Sequence, residues 1–350
     1  MPEGLAGPNI NLCKSSNDLY PERKEDDMEA SVGKPHSIKN DSSHAGIVAR
    51  LGRNMIDNWQ LYALMLPPFI YLVVFKYVPM YGALIAFQNY IPSRGMMGSE
   101  WVGLKYFVQF FESYEFWRIM KNTLLLSLYT LIAGFPIPII LALSLNYVRH
   151  TYFKKVVQMI TYAPHFISIV VMVGIILQVL DPRVGLVNAI LGLFGADPIN
   201  FMGEPKLFSH IFVWSGVWQN VGFSCIIYIA ALASVDPSLH EAAVVDGASK
   251  LRRMWHIDLP GIIPVAVILL ILNMGNLLDT GFEKVLLMQN PLNLSSSEII
   301  DTYVYKVGLT STAINLSYSS AIGLFKSIIG LALLVGVNHV SRKVSDTSLW

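Results

Sequence analysis

Charge and cysteine are both scarce in this chain. Asp, Glu, Lys and Arg make up only 14% of its 350 residues and nearly cancel, to a net charge of +1. A nucleic-acid-binding surface needs a concentrated positive excess, and none is present. The two cysteines, Cys13 and Cys225, stand far apart, which excludes a disulfide framework or a thiolate metal site. Chemical signatures are missing as well. No Gly-x4-Gly-Lys-Ser/Thr loop occurs, and the nearest fragments, Gly33-Lys34-Pro35 and GLFKS, do not supply a phosphate cradle. There is no G-x-S-x-G and no H-E-x-x-H, and none of the eight histidines falls in a metal-like spacing. The first thirty residues lack the positive start and apolar stretch of a secretory signal.

What the chain has is apolar length. Hydrophobic residues make up 53% of it and the mean hydropathy is +0.49, the profile of an integral membrane protein. Residues 1–57 differ: they are polar, rich in Ser, Asn and Asp, and free of apolar runs. They are expected to form a mostly disordered cytoplasmic tail. Its end, GIVARLGRNMIDNWQLY, reads either as a segment lying on the membrane surface or as unstructured flank.

Residues 58–350 then form the membrane domain, all-α, because six segments approach the roughly 20 apolar residues that a spanning helix needs. They lie near 61–85, 120–146, 157–180, 208–233, 262–280 and 316–338. Pro67, Pro68, Pro136 and Pro138 inside them predict kinks rather than breaks. Basic clusters follow the second span (Arg149, Lys154, Lys155), the fourth (Lys250, Arg252, Arg253) and the sixth (Arg342, Lys343). The positive-inside rule makes their shared side cytoplasmic and puts both termini there. The first outer loop, YIPSRGMMGSEWVGLKYFVQFFESYEFWRIM, is full of aromatics and reads as an interfacial segment.

Between the fourth and fifth spans lies a stretch, 236–260, that reads like a soluble helical hairpin. Asp236 is a good N-cap and Pro237 suits the first turn of a short helix. Gly247 can take a turn conformation closed to other residues, after which LRRMWHI resumes as a second short helix. Pro260 and Pro264 mark the return to the membrane.

Glu241-Ala242-Ala243, three residues, Gly247, nine residues, then Ile257-Asp258-Leu259-Pro260 resembles the EAA motif of ABC-importer permeases. In that family the hairpin is a coupling helix that docks into a groove of an ATPase subunit. A narrower resemblance covers nearly all the chain from Asn58 onward. YVPMYGALIAFQNY with GSEWVGLKYF, Phe116-Trp117, Asn122-Thr123, and GFEKVLLMQNPLN followed by EIIDTYVYKVGL are similar to the LplB type of polysaccharide permease. The long polar tail departs from that pattern.

The resemblance implies a type I ABC importer transmembrane domain in a bacterial plasma membrane. It also implies a second permease subunit that is a related, distinct chain, ABC ATPase subunits holding ATP-Mg, and an extracellular solute-binding lipoprotein. The cargo would be a poly- or oligosaccharide, and this chain would hold no cofactor itself. In the motif, Glu241 would pair with a basic residue of the ATPase, Ala242 and Ala243 would allow close approach, and Gly247 would set the angle between the short helices. Asp246, Ala248, Ile257, Leu259 and Pro260 complete the coupling segment. Met254 and Trp255 are candidate anchors, with packing on the membrane surface as their alternative role.

For the pathway, polar residues within spans are costly unless they meet partners, water or cargo. Gln219, Asn220, Asn273 and Asn276, with Glu283 just beyond the fifth span, are the candidates, and Trp214, Trp218 and Tyr228 offer aromatic faces suited to sugars. Interhelical hydrogen bonding is the alternative for each. Lys76 and Lys326 are expected to snorkel or pair, and His165 to pack or cap. Other readings stay open from the residues alone: a non-sugar cargo such as an amino acid or peptide, a membrane-embedded enzyme, or a scaffold whose hairpin binds another partner.

Overall fold

The computed structural model describes residues 57–279 and 281–344. The expectation for the tail through residue 56 lies outside them. Among the described residues, those before Leu72 and those from Leu72 onward form separate units. The helix Trp59–Leu72 (α1) carries Pro67 and Pro68 inside it and buries none of its residues. With the helical turns after it, it makes a candidate membrane span over Trp59–Phe87. A wide five-residue turn, Val73–Tyr77, precedes Pro79, with the amide of Val78 reaching back to the carbonyl of Val73. A π turn of this kind relieves the clash that proline makes with the preceding turn.

The aromatic loop after this span is folded. Gln88–Asn89 (β1) pairs antiparallel with Glu100–Trp101 (β2), and Lys105–Glu112 (α2) follows. Tyr106 and Phe110 are buried there with Phe116, Ile119, Ile300 and Ile322. Phe110 meets Phe116 edge-on at 5.0 Å, a favoured aromatic geometry. Only part of the aromatic set, including Trp101, Tyr114 and Trp117, stays exposed.

Glu115–Gly134 (α3) and Pro136–Asn146 (α4) make the second candidate span, Glu115–Asn146. The third is not one straight helix. Thr151–Tyr162 (α5) ends in a 3₁₀ turn at Ala163–Phe166, and Ile169–Val179 (α6) leaves at 101° to it. Pro164 tightens the first end, and Ser168 caps the second, its hydroxyl accepting from the amide of Val171. Leu186–Leu193 (α7) follows.

Pro205–Ala233 (α8) is the central element, 29 residues and so about 43 Å long at the α-helical rise. One end carries Phe208, Phe212 and Val213 into a core with Leu126, Val285 and Ile299. The other end carries Cys225, Tyr228 and Leu232 into a core with Ala142, Leu145 and Ile262. Gly222 lets α5 approach closely, since a Cβ there would stand 2.1 Å from the carbonyl oxygen of Thr161. Small residues at such crossings are how membrane helices gain contact.

Pro237–Val245 (α9) and Lys250–Arg253 (α10) form the hairpin. Contrary to expectation, its second arm is not a separate short helix. It runs through a π turn, Met254–Asp258, into Leu259–Gly275 (α11), giving one candidate span over Lys250–Gly275. That wide turn again directly precedes a proline pair position, here Leu259-Pro260, and the amide of Leu259 bonds to the carbonyl of Met254. The helix stops at Gly275 rather than near residue 280.

The connection that follows is a folded cap. Phe282–Met288 (α12), Leu294–Ser297 (α13) and Ile300–Tyr305 (α14) lead to the last span, within Leu316–Val344 (α15). Asn290 and Asn293 both donate to the carbonyl of Met202, at 2.8 and 2.9 Å, and Asn122 reaches the carbonyl of Ser295. Glu298, buried, is held by Arg118 and by Lys306. Among the described residues, then, five helices are long and apolar enough to cross a membrane, and the bent pair is a sixth candidate.

Candidate functional site

The hairpin is fixed by its caps. Asp236 accepts from the amide of Ser238 at 2.9 Å, and hydrogen bonds from Ser238 hold its carboxyl below the usual carboxylate range. At the far end of α9 the amide of Ala248 bonds to the carbonyl of Ala243, and that of Gly247 to Val244. This is a Schellman closure, which needs a left-handed residue at its C′ position. Gly247 supplies it, at φ 73°.

Glu241, Ala242, Asp246, Gly247, Trp255 and Pro260 are exposed, while Ala243, Ala248, Met254, Ile257 and Leu259 are partly buried. Met254 and Leu259 pack against the chain's own core beside Tyr228 and Ile262. Trp255 instead keeps 65% of its surface free, and Leu239, Val245 and Leu251 are exposed with it.

Beneath the hairpin sits a polar knot that the motif alone did not reveal. Asp258 is fully buried. The hydroxyl of Tyr147 donates to its Oδ2 at 2.5 Å, and Nε2 of His240 lies 3.2 Å from its Oδ1. The guanidinium of Arg253 stands 5.8 Å from the Tyr147 ring. Burial first, and the Asp258 hydrogen bond second, raise the Tyr147 phenol above its ordinary value. One carboxylate thereby joins both arms of the hairpin to the end of the second span.

The second region is an open cleft of about 630 Å³ within the residues from Leu72 onward. Gln219, Asn220, Asn273 and Asn276 all line it, whereas Trp214, Trp218 and Glu283 do not. Three of these polar side chains are engaged by the chain itself. Gln219 donates to the carbonyl of Ile167, in the break between α5 and α6. Asn220 donates to Gly216 and contacts Nδ1 of His165 at 3.0 Å. Asn276 donates to Leu272. Asn273 has no hydrogen-bond partner among the described residues and is exposed. His165 packs as expected, stacked on Phe223 at 4.0 Å. Trp214 donates to the Tyr129 hydroxyl at 2.9 Å.

The cleft's cation was missed by attention to polar residues inside spans. Lys284, one residue after Glu283, lines the cleft and is 7% exposed. Its ammonium donates to the carbonyl of Phe212 at 2.9 Å and lies 4.8 Å from that ring. Burial lowers its pKa to about 8. A helix turns about 100° per residue, so neighbours such as Glu283 and Lys284 face different ways; the residue type, a lysine in an apolar run, was the available signal.

Comparison with known proteins agrees with this architecture. Residues 134–346 match the family described as the binding-protein-dependent transport system inner membrane component. The chain is 45% identical to the polygalacturonan/rhamnogalacturonan transport system permease protein YteP of Bacillus subtilis, over 86% of this chain and 93% of that one. It is 43% identical to Protein LplB of the same organism, over 84% and 92%. Its structure is similar to a crystal structure of a bacterial ABC transporter involved in the import of the acidic polysaccharide alginate, with TM-score 0.78 and 38% identity over 85% of this chain and 99% of that one. The fold is therefore that of a type I ABC importer permease, multi-pass and helical, and the enzyme and scaffold readings do not survive. This chain belongs to the family of binding-protein-dependent transport system inner membrane components.

Proposed function

We propose that this chain forms half of the membrane pathway of an ATP-driven importer for a poly- or oligosaccharide, and that hairpin 236–260 receives the force. The observation that carries the reading is the exposed, rigidly capped hairpin bearing the EAA spacing, whose second arm is continuous with a membrane span. The names of the relatives support a saccharide cargo, since YteP is named for polygalacturonan and rhamnogalacturonan transport.

In this reading ATP-Mg sits on separate ATPase subunits, which grip Glu241, Ala242, Ala243 and the exposed Trp255. A second, related but distinct permease chain completes the pathway. An extracellular solute-binding lipoprotein delivers the cargo, a proposal supported by a solved alginate transporter in complex with its pentasaccharide-bound periplasmic protein. The hairpin side is cytoplasmic, with both termini, because the basic clusters Arg149, Lys154, Lys155, Lys250, Arg252, Arg253, Arg342 and Lys343 fall on it. Alternating access then follows from rearrangement of the spans, biased by closure of the ATPases.

The test is extraction from native membranes in mild detergent with identification of what co-purifies. A second permease and an ATPase are expected, and their repeated absence from intact preparations would defeat the assignment. Glu241→Lys is expected to leave insertion intact while abolishing the link between ATP hydrolysis and uptake.

A further inference from the structure

The carboxylate of Asp258 stands where three segments meet. It belongs to the π turn that joins the hairpin's second arm to α11. Its Oδ2 accepts from Tyr147, just past the end of α4, and its Oδ1 faces His240 on α9. The two contacts differ in quality. The Tyr147 bond is short and aligned at 2.5 Å. Nε2 of His240 comes within 3.2 Å, yet Oδ1, although buried, accepts no aligned hydrogen bond among the described residues.

Stability alone does not explain this knot. A buried carboxylate often holds a fold together no better than an apolar side chain of its size, and a buried acceptor without an aligned donor costs free energy. What a short hydrogen bond adds is direction, since packed apolar side chains can slide past one another and a bonded carboxylate cannot. Tyr147 lies 111 residues away in sequence, so its bond ties the foot of the fifth span to the end of the second. A small shift of α9 would align His240 and satisfy Oδ1, and π turns such as Met254–Asp258 are frequent at functional sites.

We infer that Asp258 is a positioning residue through which the hairpin drives two spans at once: the fifth, of which it is part, and the second, through Tyr147, with His240 aligning on the free carboxylate oxygen when an ATPase grips the first arm. The inference rests on the importer reading above. His240, Asp258 and Tyr147 are links in series, so loss of either outer link disconnects the first arm from the second span. The fifth span stays connected through the backbone. Hydrolysis then continues, but its displacement reaches one span instead of two.

The experiment uses the complete complex with its ATPase and binding protein in proteoliposomes, with an oligogalacturonide as the probe, and reads ATP hydrolysed per saccharide imported. Tyr147→Phe, which removes only a hydroxyl, is expected to raise this ratio about fivefold, the low end for coupling between sites. His240→Leu should raise it similarly, and His240→Gln, whose amide nitrogen can donate where Nε2 does, should restore it. Because the links act in series, Tyr147→Phe combined with His240→Leu should be no worse than the worse single variant. Arg118→Met, which weakens a buried pair elsewhere, is the control: it lowers the melting temperature and should leave the ratio native. A native ratio in Tyr147→Phe overturns the inference. So do multiplying effects in the double variant, or an equal rise in Arg118→Met, the mark of a merely structural knot. Where Tyr147→Phe does not assemble, the His240 variants decide, and equal ratios in His240→Leu and His240→Gln overturn it. Absence of uptake by the native complex is a different failure, that of the saccharide-importer reading itself.

Discussion

Single side chains set the charge logic of this protein. Glu298 is 1% exposed and depends on Arg118 and Lys306. Arg118→Met removes one of these partners and is expected to cost about 3 kcal/mol, the lower end for breaking a buried pair, because Lys306 still reaches the carboxylate. The check is the temperature at which the detergent-solubilised protein loses solubility, which should drop by several degrees; no change would mean the pair is carried by solvent. Lys284 makes a pH prediction. Its pKa lies near 8, below that of an ordinary lysine, so its charge is present at pH 7 and disappears as the pH rises through 8. Asp279, the other charged residue lining the cleft, shares Lys326 with Asp301. Any step of uptake that depends on the Lys284 charge should therefore decline between pH 7 and 9 in the native protein and hold in Lys284→Arg, measured by initial uptake rates.

Elements explain what the sequence made legible. Spans one, two, four and six follow from apolar length, which any helix crossing a bilayer must have, and the hairpin from Asp236 and Gly247, whose capping chemistry is local. The break after Tyr162 is different. An apolar run gives no direction, and the 101° turn is fixed by Pro164, by the Ser168 cap and by Gln219 reaching from another helix to the carbonyl of Ile167. Pro164 and the Ser168 cap are local signals in the sequence, whereas the Gln219 contact is not. The cap between the fifth and sixth spans was opaque for a similar reason: Asn290 and Asn293 bind a carbonyl 88 and 91 residues earlier. Two glycines carry element-scale predictions. Gly247→Val puts a branched side chain at φ 73° and should loosen the hairpin and uncouple hydrolysis from uptake, with the protein still inserted; full uptake would refute a role for the turn. Gly222→Ala collides with Thr161 and should force α5 from α8, seen as faster proteolysis or loss of detergent-stable protein.

At the scale of the whole molecule, the exposed apolar side chains fall in places where a lone soluble domain would not tolerate them. Trp255, Leu251, Leu239 and Val245 crowd the hairpin, and Trp is the residue most often found to dominate an interface. Trp255→Ala is expected to weaken retention of the ATPase subunit about thirtyfold, equivalent to about 2 kcal/mol, in a pull-down titrated with the purified ATPase. Undiminished retention would leave the membrane surface as its contact.

The continuity of Lys250–Gly275 has a mechanical meaning. A rod of 26 residues is about 39 Å long, and a hinge at its foot would have let the hairpin swing while the span stood still. Instead the foot and the shaft are one piece, and the Asp258 clamp to Tyr147 and His240 sits where a crank has its bearing. With the hairpin gripped as proposed, torque applied at Trp255 would turn the shaft that carries Asn273, so the handle and the wall of the cleft would keep the same time.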